Sequence, residues 1–183
     1  IYKCGDDAAI MPLISVANVA CGFHASDPTV MRKTVRLAKE NGVRVGAHPS
    51  YPDRDGFGRR RMEMEAEELT ACIIYQVGAL KGFLDAEGMA LNHLKPHGAL
   101  YGAAYRDEKT ARAIARAAVT FGVPLMGMAG TGHEEWYVDE GAEVIWEPYV
   151  DLDYDDAGEI IITRQHEPVT AEKATAQAVR SAR

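Results

Sequence analysis

The ten consecutive residues Asn92-His93-Leu94-Lys95-Pro96-His97-Gly98-Ala99-Leu100-Tyr101 set two imidazoles and one ammonium around a proline. Imidazole exchanges protons near neutral pH and is the commonest metal ligand, while an inward-facing lysine needs an anion beside it. Such a run can move protons, hold a divalent cation, or stabilise an oxyanion or phosphoryl group. If residues 89–95 form a strand, alternation puts Leu91, His93 and Lys95 on one face and Asn92 and Leu94 on the other. Pro96 ends that strand and leaves His97 and Gly98 in a loop just past its carboxyl end, where parallel α/β folds keep their chemistry.

Two further histidines occupy equivalent places: His24 follows the small, apolar run 15–21, and His48 closes the run 43–48. In a parallel barrel His24, His48, His93 and His97 would converge over one mouth. His24, His48 and His97 are also candidate ligands for a divalent metal, although no HExxH or other short-range ligand spacing is present. The alternative for each is an ordinary structural hydrogen bond. Asp27 is either a helix cap or a group that orients His24. Lys95 is either paired by a carboxylate such as Glu147 or binds a substrate carboxylate or phosphoryl oxygen. Arg59, Arg60 and Arg61 form either a solvated charge run or, through Arg59, an oxyanion contact beside the close-approach loop Gly56-Phe57-Gly58. The turn Gly127-Met128-Ala129-Gly130-Thr131-Gly132 lacks the lysine of a P-loop.

The elements that must position these groups alternate. Asp27 and Pro28 open a helix that Asn41-Gly42 stops, and a long loop over residues 50–62 follows the second strand. Leu69, Cys72, Ile73, Gln76, Val77, Leu80, Phe83 and Leu84 mark one face of a helix over 65–87. Residues 107–121 form a further helix, 123–128 a strand, 131–139 a short helix and 142–147 a strand. Residues 154–164 read as a hairpin around Asp156-Ala157-Gly158, and 170–182 as a final helix capped by Thr170. The alternation argues for a parallel sheet with helical crossovers, either open and doubly wound or closed as a barrel. Periodicity does not choose between them. No regular pattern is evident in residues 1–14.

The bulk properties set limits. With 183 residues, 47% hydrophobic and 26% charged, the chain fits a single globular domain without linker or repeat. A net charge of −7 argues against nucleic-acid and anionic-membrane partners. Three widely spaced cysteines make no disulfide framework or CxxC motif, and no run of 18 apolar residues or signal segment is present, so a reducing, cytoplasmic setting is expected.

HLKPHGALY (93–101), ANVACGFHASDP (17–28), GAHPSYPDRDGFGRR (46–60) and YQVGAL (75–80) occur together and in order, and with them the chain closely resembles the LamB/YcsF family. The resemblance implies an irregular parallel (β/α) barrel of the seven-stranded deacetylase-like kind, as a single domain over residues 1–183. It also implies that a first strand with a motif resembling Asp-Leu-Asn-x-Asp-x-Gly-Glu should precede Ile1. The implied activity is ring-opening of 5-oxoproline to glutamate with ATP, and Mg, as co-substrate, together with B and C subunits; a homo-oligomer is compatible with it. On this reading His24, His48, Lys95, His97, Glu147 and Asp151 are catalytic, while Asp27, Arg59, His93 and Tyr101 contact substrate. Glu147, Asp151 and Tyr154 match a family segment resembling Glu-x-Phe-Ala-Asp-Arg-x-Tyr, but Leu152 stands where the family has arginine, which puts the substrate's identity in question. Two other readings stay open: a metal-dependent amide hydrolase or deacetylase without ATP, and a non-catalytic component that presents a small acid to a partner.

Overall fold

Asp6 caps a one-turn helix, α1 (Asp7–Ile10), by accepting from the Ala8 and Ala9 N–H groups at 3.1 and 3.2 Å, and a 3-10 turn (Met11–Leu13) follows. Local capping therefore gives this segment an order that its hydrophobic pattern does not carry. The computed structural model describes residues 6–154, 160–161 and 169–181. Within it the chain divides into two compact units, Ile1–Ile145 and Trp146–Arg183.

Strands and helices alternate as β1 (Val16–Ala20), α2 (Pro28–Glu40), β2 (Arg44–His48), α3 (Ala66–Ala86), β3 (Leu91–Leu94), α4 (Gly98–Ala104), α5 (Glu108–Phe121), β4 (Leu125–Gly127), α6 (Gly132–Asp139) and β5 (Val144–Trp146). The sheet order is β1-β2-β3-β4-β5, and the first three pairings are parallel. A doubly wound sheet reverses its order at a switch point. This one never reverses, which is the winding of a (β/α) barrel. Among the described residues five strands form the sheet, where the resemblance implies seven.

One face of the sheet carries the helices. Val45 and Ala47 of β2, Leu94 of β3 and Leu125 of β4 are fully buried together with Val35 and Ala38 of α2, Ile73, Val77 and Leu80 of α3, and Ile114 and Ala118 of α5. α3 has the length and apolarity of a membrane span, but its apolar side lies in this core. Its contact with α5 is close because α5 presents alanines, and Thr70 Oγ1 reaches the Ala113 carbonyl at 3.1 Å. Asp107 caps α5, and Gly122 ends it in the left-handed conformation at φ 61°. The opposite face of β1 and β2 bears Asn18, Gly46 and His48, since Asn18 pairs in register with Gly46 and Ala20 with His48.

In the second unit β6 (Asp153–Tyr154) pairs antiparallel with β7 (Ile160–Ile161), and α7 (Ala171–Ser181) starts with Thr170 Oγ1 accepting from the Lys173 N–H. The turn expected at Asp156-Ala157-Gly158 lies outside the described residues.

Candidate functional site

The site is built by backbone pairing that outlasts the strands. β3 ends at Leu94, yet the Lys95 N–H still donates to the Ala47 carbonyl at 2.9 Å and the His97 N–H to the Pro49 carbonyl at 2.8 Å. Two extended, proline-containing segments thus run side by side past the carboxyl end of the sheet. They bring His97 next to His48. The loop from β1 to α2 delivers His24 to the same place. The rings of His24 and His97 stack at 3.9 Å, 7° from parallel, while His48 meets His97 edge-on at 4.9 Å and His24 at 5.7 Å.

Hydrogen bonds orient this triangle. His48 Nδ1 lies 2.7 Å from the Lys95 carbonyl oxygen, His97 Nε2 lies 2.8 Å from the Phe57 carbonyl oxygen, and His97 Nδ1 faces His48 Nε2 at 3.0 Å. His24 is 1% exposed, and its Nδ1 is buried without a hydrogen-bond partner. Burial, then the neighbouring His97, pushes the pKa of His24 and of His48 down to about 3, and burial lowers that of His97 as well. At neutral pH the imidazoles therefore offer electron pairs rather than charge.

The loop after β2 closes over the triangle. Phe57, at φ 56°, and Ser26, at φ 72°, are non-glycine residues in the left-handed region, and each sits in a loop that carries or covers a histidine. Such conformations cost about 1–3 kcal/mol each and persist where the surroundings impose them. Gly58, at φ 66°, lies so close that a Cβ there would stand 2.8 Å from His97 Cδ2 and 3.0 Å from His24 Cβ. The loop is braced from within. Asp53, buried, accepts from the Gly56 N–H at 3.0 Å and pairs with Arg60, whose guanidinium holds the Asp53 carboxyl down to about 2. Arg54 Nη1 donates to the Gly22 carbonyl at 2.7 Å, tying this loop to the one that bears His24. At its root the fully buried Gln76 of α3 donates to the Ser50 carbonyl at 2.8 Å and accepts from the Ser50 N–H at 3.0 Å.

Not every expected group joins the triangle. His93 does not converge with the other three. It is fully buried across the sheet, with Nε2 2.6 Å from Asn18 Oδ1 and Nδ1 2.9 Å from Asn92 Nδ2. Its ring fills the space above Gly46, where a Cβ would fall 2.0 Å from Cε1. Burial, then the Lys95 ammonium, pushes its pKa down to about 4. His93 lies one step below the mouth, and its nitrogens are used by Asn18 and Asn92. Asp27 caps α2, accepting from the Thr29 and Val30 N–H groups at 2.8 and 2.9 Å, so its carboxylate serves the helix rather than His24. Lys95 is half-buried with Nζ 5.9 Å from the centre of the buried Tyr101 ring. Arg59 is exposed and lies 5.3 Å over the Phe57 ring. Glu147 and Asp151 belong to the second unit, where Glu147 accepts from the Tyr149 hydroxyl at 3.4 Å and Asp151 is exposed.

Sequence reasoning missed α4, whose first residue follows directly on His97, and the closing loop's use of a backbone carbonyl to hold His97. The Gly56-Phe57-Gly58 string was the available signal for the second. It also missed His133, a fully buried imidazole stacked on Tyr137 at 4.6 Å and accepting from the Met128 N–H at 3.2 Å, which is a packing role. Burial pushes the Cys21 thiol up to about 12, which keeps it protonated at neutral pH.

Fold and site together define a singly wound parallel α/β protein with a histidine-lined mouth at the carboxyl ends of consecutive strands. The chain belongs to the LamB/YcsF family, whose family model matches residues 1–183. It is 50% identical over 167 residues to the lactam utilization protein lamB of Emericella nidulans, covering 91% of this chain and 66% of that protein. It is also 50% identical over 161 residues to the 5-oxoprolinase A-subunit of Thermus thermophilus, covering 87% of this chain and 64% of that protein. The chain thus spans 64–66% of the length of these curated relatives. The crystal structure of the lactam utilization protein from Thermus thermophilus superposes with a TM-score of 0.92 at 46% identity, covering 96% of this chain and 73% of that one.

Proposed function

We propose that the protein acts as the A component of a 5-oxoprolinase, opening the lactam ring of 5-oxoproline to glutamate with ATP hydrolysis and in company with B and C subunits. The observation that carries this reading is the triangle of neutral imidazoles at the mouth, in a chain about half identical to proteins named for that activity. A lactam is a poor electrophile because nitrogen donates into its carbonyl. Transfer of the γ-phosphoryl group of ATP to the lactam oxygen releases ADP and gives an O-phosphorylated imidate whose carbon is more electrophilic. Water then adds to the carbon, the C–N bond breaks with a proton delivered to nitrogen, and a second water cleaves the resulting acyl phosphate to glutamate and phosphate. In this scheme Lys95 and Arg59 supply positive charge for the oxyanion and phosphoryl oxygens, and the imidazoles supply electron pairs where water is activated.

The same triangle favours a second reading, hydrolysis of a small amide without nucleotide. Glutamate release from 5-oxoproline, measured with the protein alone, with its partner subunits, and with ATP withheld, separates the two. Release that requires both ATP and the partners supports the first reading. Release without ATP supports the second, and none under any condition removes both.

A further inference from the structure

A backbone carbonyl oxygen can only accept a hydrogen bond. The 2.7 Å contact of His48 Nδ1 with the Lys95 carbonyl and the 2.8 Å contact of His97 Nε2 with the Phe57 carbonyl therefore place the ring proton of each neutral imidazole on those nitrogens. The remaining nitrogens, His48 Nε2 and His97 Nδ1, both carry lone pairs, and they lie only 3.0 Å apart. Two lone pairs at that distance repel unless an electron-pair acceptor lies between them. A single extra proton would satisfy this pair alone. It would leave the third imidazole unserved, because His24 is 1% exposed with its Nδ1 buried and unpartnered, and one of its ring nitrogens lies within 4.8 Å of the other two ligand atoms.

We propose that His48 and His97, joined by His24 once its ring turns out of the 7° stack on His97, form the binding site of one divalent transition-metal ion. At a metal–nitrogen bond of roughly 2.1 Å, two nitrogens 3.0 Å apart subtend about 90° at the metal, the angle between neighbouring ligands of an octahedron. The outer arrangement also fits. Metal-bound histidines characteristically donate their other N–H to a backbone carbonyl or carboxylate, which fixes tautomer and ring angle. His48 and His97 both do so. An all-imidazole set selects zinc, cobalt, iron(II) or nickel over magnesium or calcium, which take oxygen ligands. Three protein ligands leave coordination positions open, the pattern of a reactive rather than a purely structural site. Such an ion would polarise a lactam or amide carbonyl or acidify a bound water. The site does not depend on the substrate assigned above, and its test is read without turnover, so the two proposals fail separately.

The test is a Co2+ titration of chelator-stripped protein, followed by visible absorption and by elemental analysis after dialysis. One retained equivalent is expected, with ligand-field bands and no thiolate charge-transfer band. His97→Gln and His24→Gln should each weaken binding by at least about 100-fold, while Cys72→Ser should leave it unchanged. Because a variant can lose its fold, the wild-type protein carries an independent measurement. Nitrogen-15 spectra of the histidine rings should show His48 Nε2 and His97 Nδ1 shifting on metal addition, with His93 unmoved. No retained metal, equal binding by the two glutamine variants in folded form, a thiolate band, or unshifted His48 and His97 nitrogens would each overturn the assignment.

Discussion

Replacing Gly58 by alanine tests how tightly the closing loop presses on the histidine triangle, and a second glycine in the same chain provides the control. Gly58 and Gly122 have nearly the same φ, 66° and 61°. A Cβ at Gly122 meets nothing within 4 Å, whereas one at Gly58 meets His97 Cδ2 at 2.8 Å, His24 Cβ at 3.0 Å and Ser50 Cβ at 3.1 Å. Holding an L-residue in the left-handed region costs about 1–2 kcal/mol at either position. Forcing a methyl group into a packed site adds about 1–3 kcal/mol, and only at Gly58. Gly122→Ala should therefore lose about 1–2 kcal/mol and Gly58→Ala about 2–5 kcal/mol in urea unfolding at pH 7.5. The difference reports the contact with the two imidazoles and Ser50, since both positions share the left-handed φ. A Gly58→Ala protein no less stable than Gly122→Ala would refute the packed loop.

Three further outcomes follow from the same geometry. Gln76→Met leaves the buried Ser50 N–H and C=O unpaired, at about 1–3 kcal/mol each, so a stability within roughly 0.5 kcal/mol of wild type, the scale of ordinary surface changes, would contradict that brace. Gly46→Ala puts a Cβ 2.0–2.4 Å from three atoms of the His93 ring and should be strongly destabilising, and adding His93→Ala should restore part of the loss; simple additivity in this cycle would contradict the contact. His93 and His133 are pushed down to about 4 in the folded protein, mainly by burial, against 6.5 when unfolded. The unfolded chain thus takes up protons first as pH falls, so stability is full above 6.5 and drains between 6.5 and 4, by about 3 kcal/mol for each imidazole. Urea unfolding of metal-free protein at pH 7.5, 6.0 and 4.5 checks this, and a flat profile would show that these rings are not buried neutral.

Most of the scaffold was legible because it depends on local signals. Asp27-Pro28 and Asp107 mark helix starts through their own side chains and Gly122 marks a stop, so α2 and α5 fall where capping chemistry puts them. The singly wound order was not legible. Nothing in the spacing of apolar residues says whether β3 pairs on the far side of β2 or returns beside β1. The site was half legible for a related reason. The placement of His24, His48 and His97 just past strand ends could be read from prolines and glycines, but which face and depth each ring takes depends on long-range pairing. His93 shows this, since only the absence of a side chain at Gly46, on a neighbouring strand, makes room for it below the mouth. Phe57 shows it again, because its role comes from a carbonyl oxygen, and backbone atoms leave no trace in residue identity.

Lactam ring opening at the triangle, proposed above, is tested most directly by glutamate release from 5-oxoproline with ATP and the proposed partner subunits present. His97→Ala, checked for fold by circular dichroism, should lower turnover by about 100-fold or more, while Arg36→Ala on the outer surface of α2 should match wild type. A folded His97→Ala protein that releases glutamate at the wild-type rate would contradict the account.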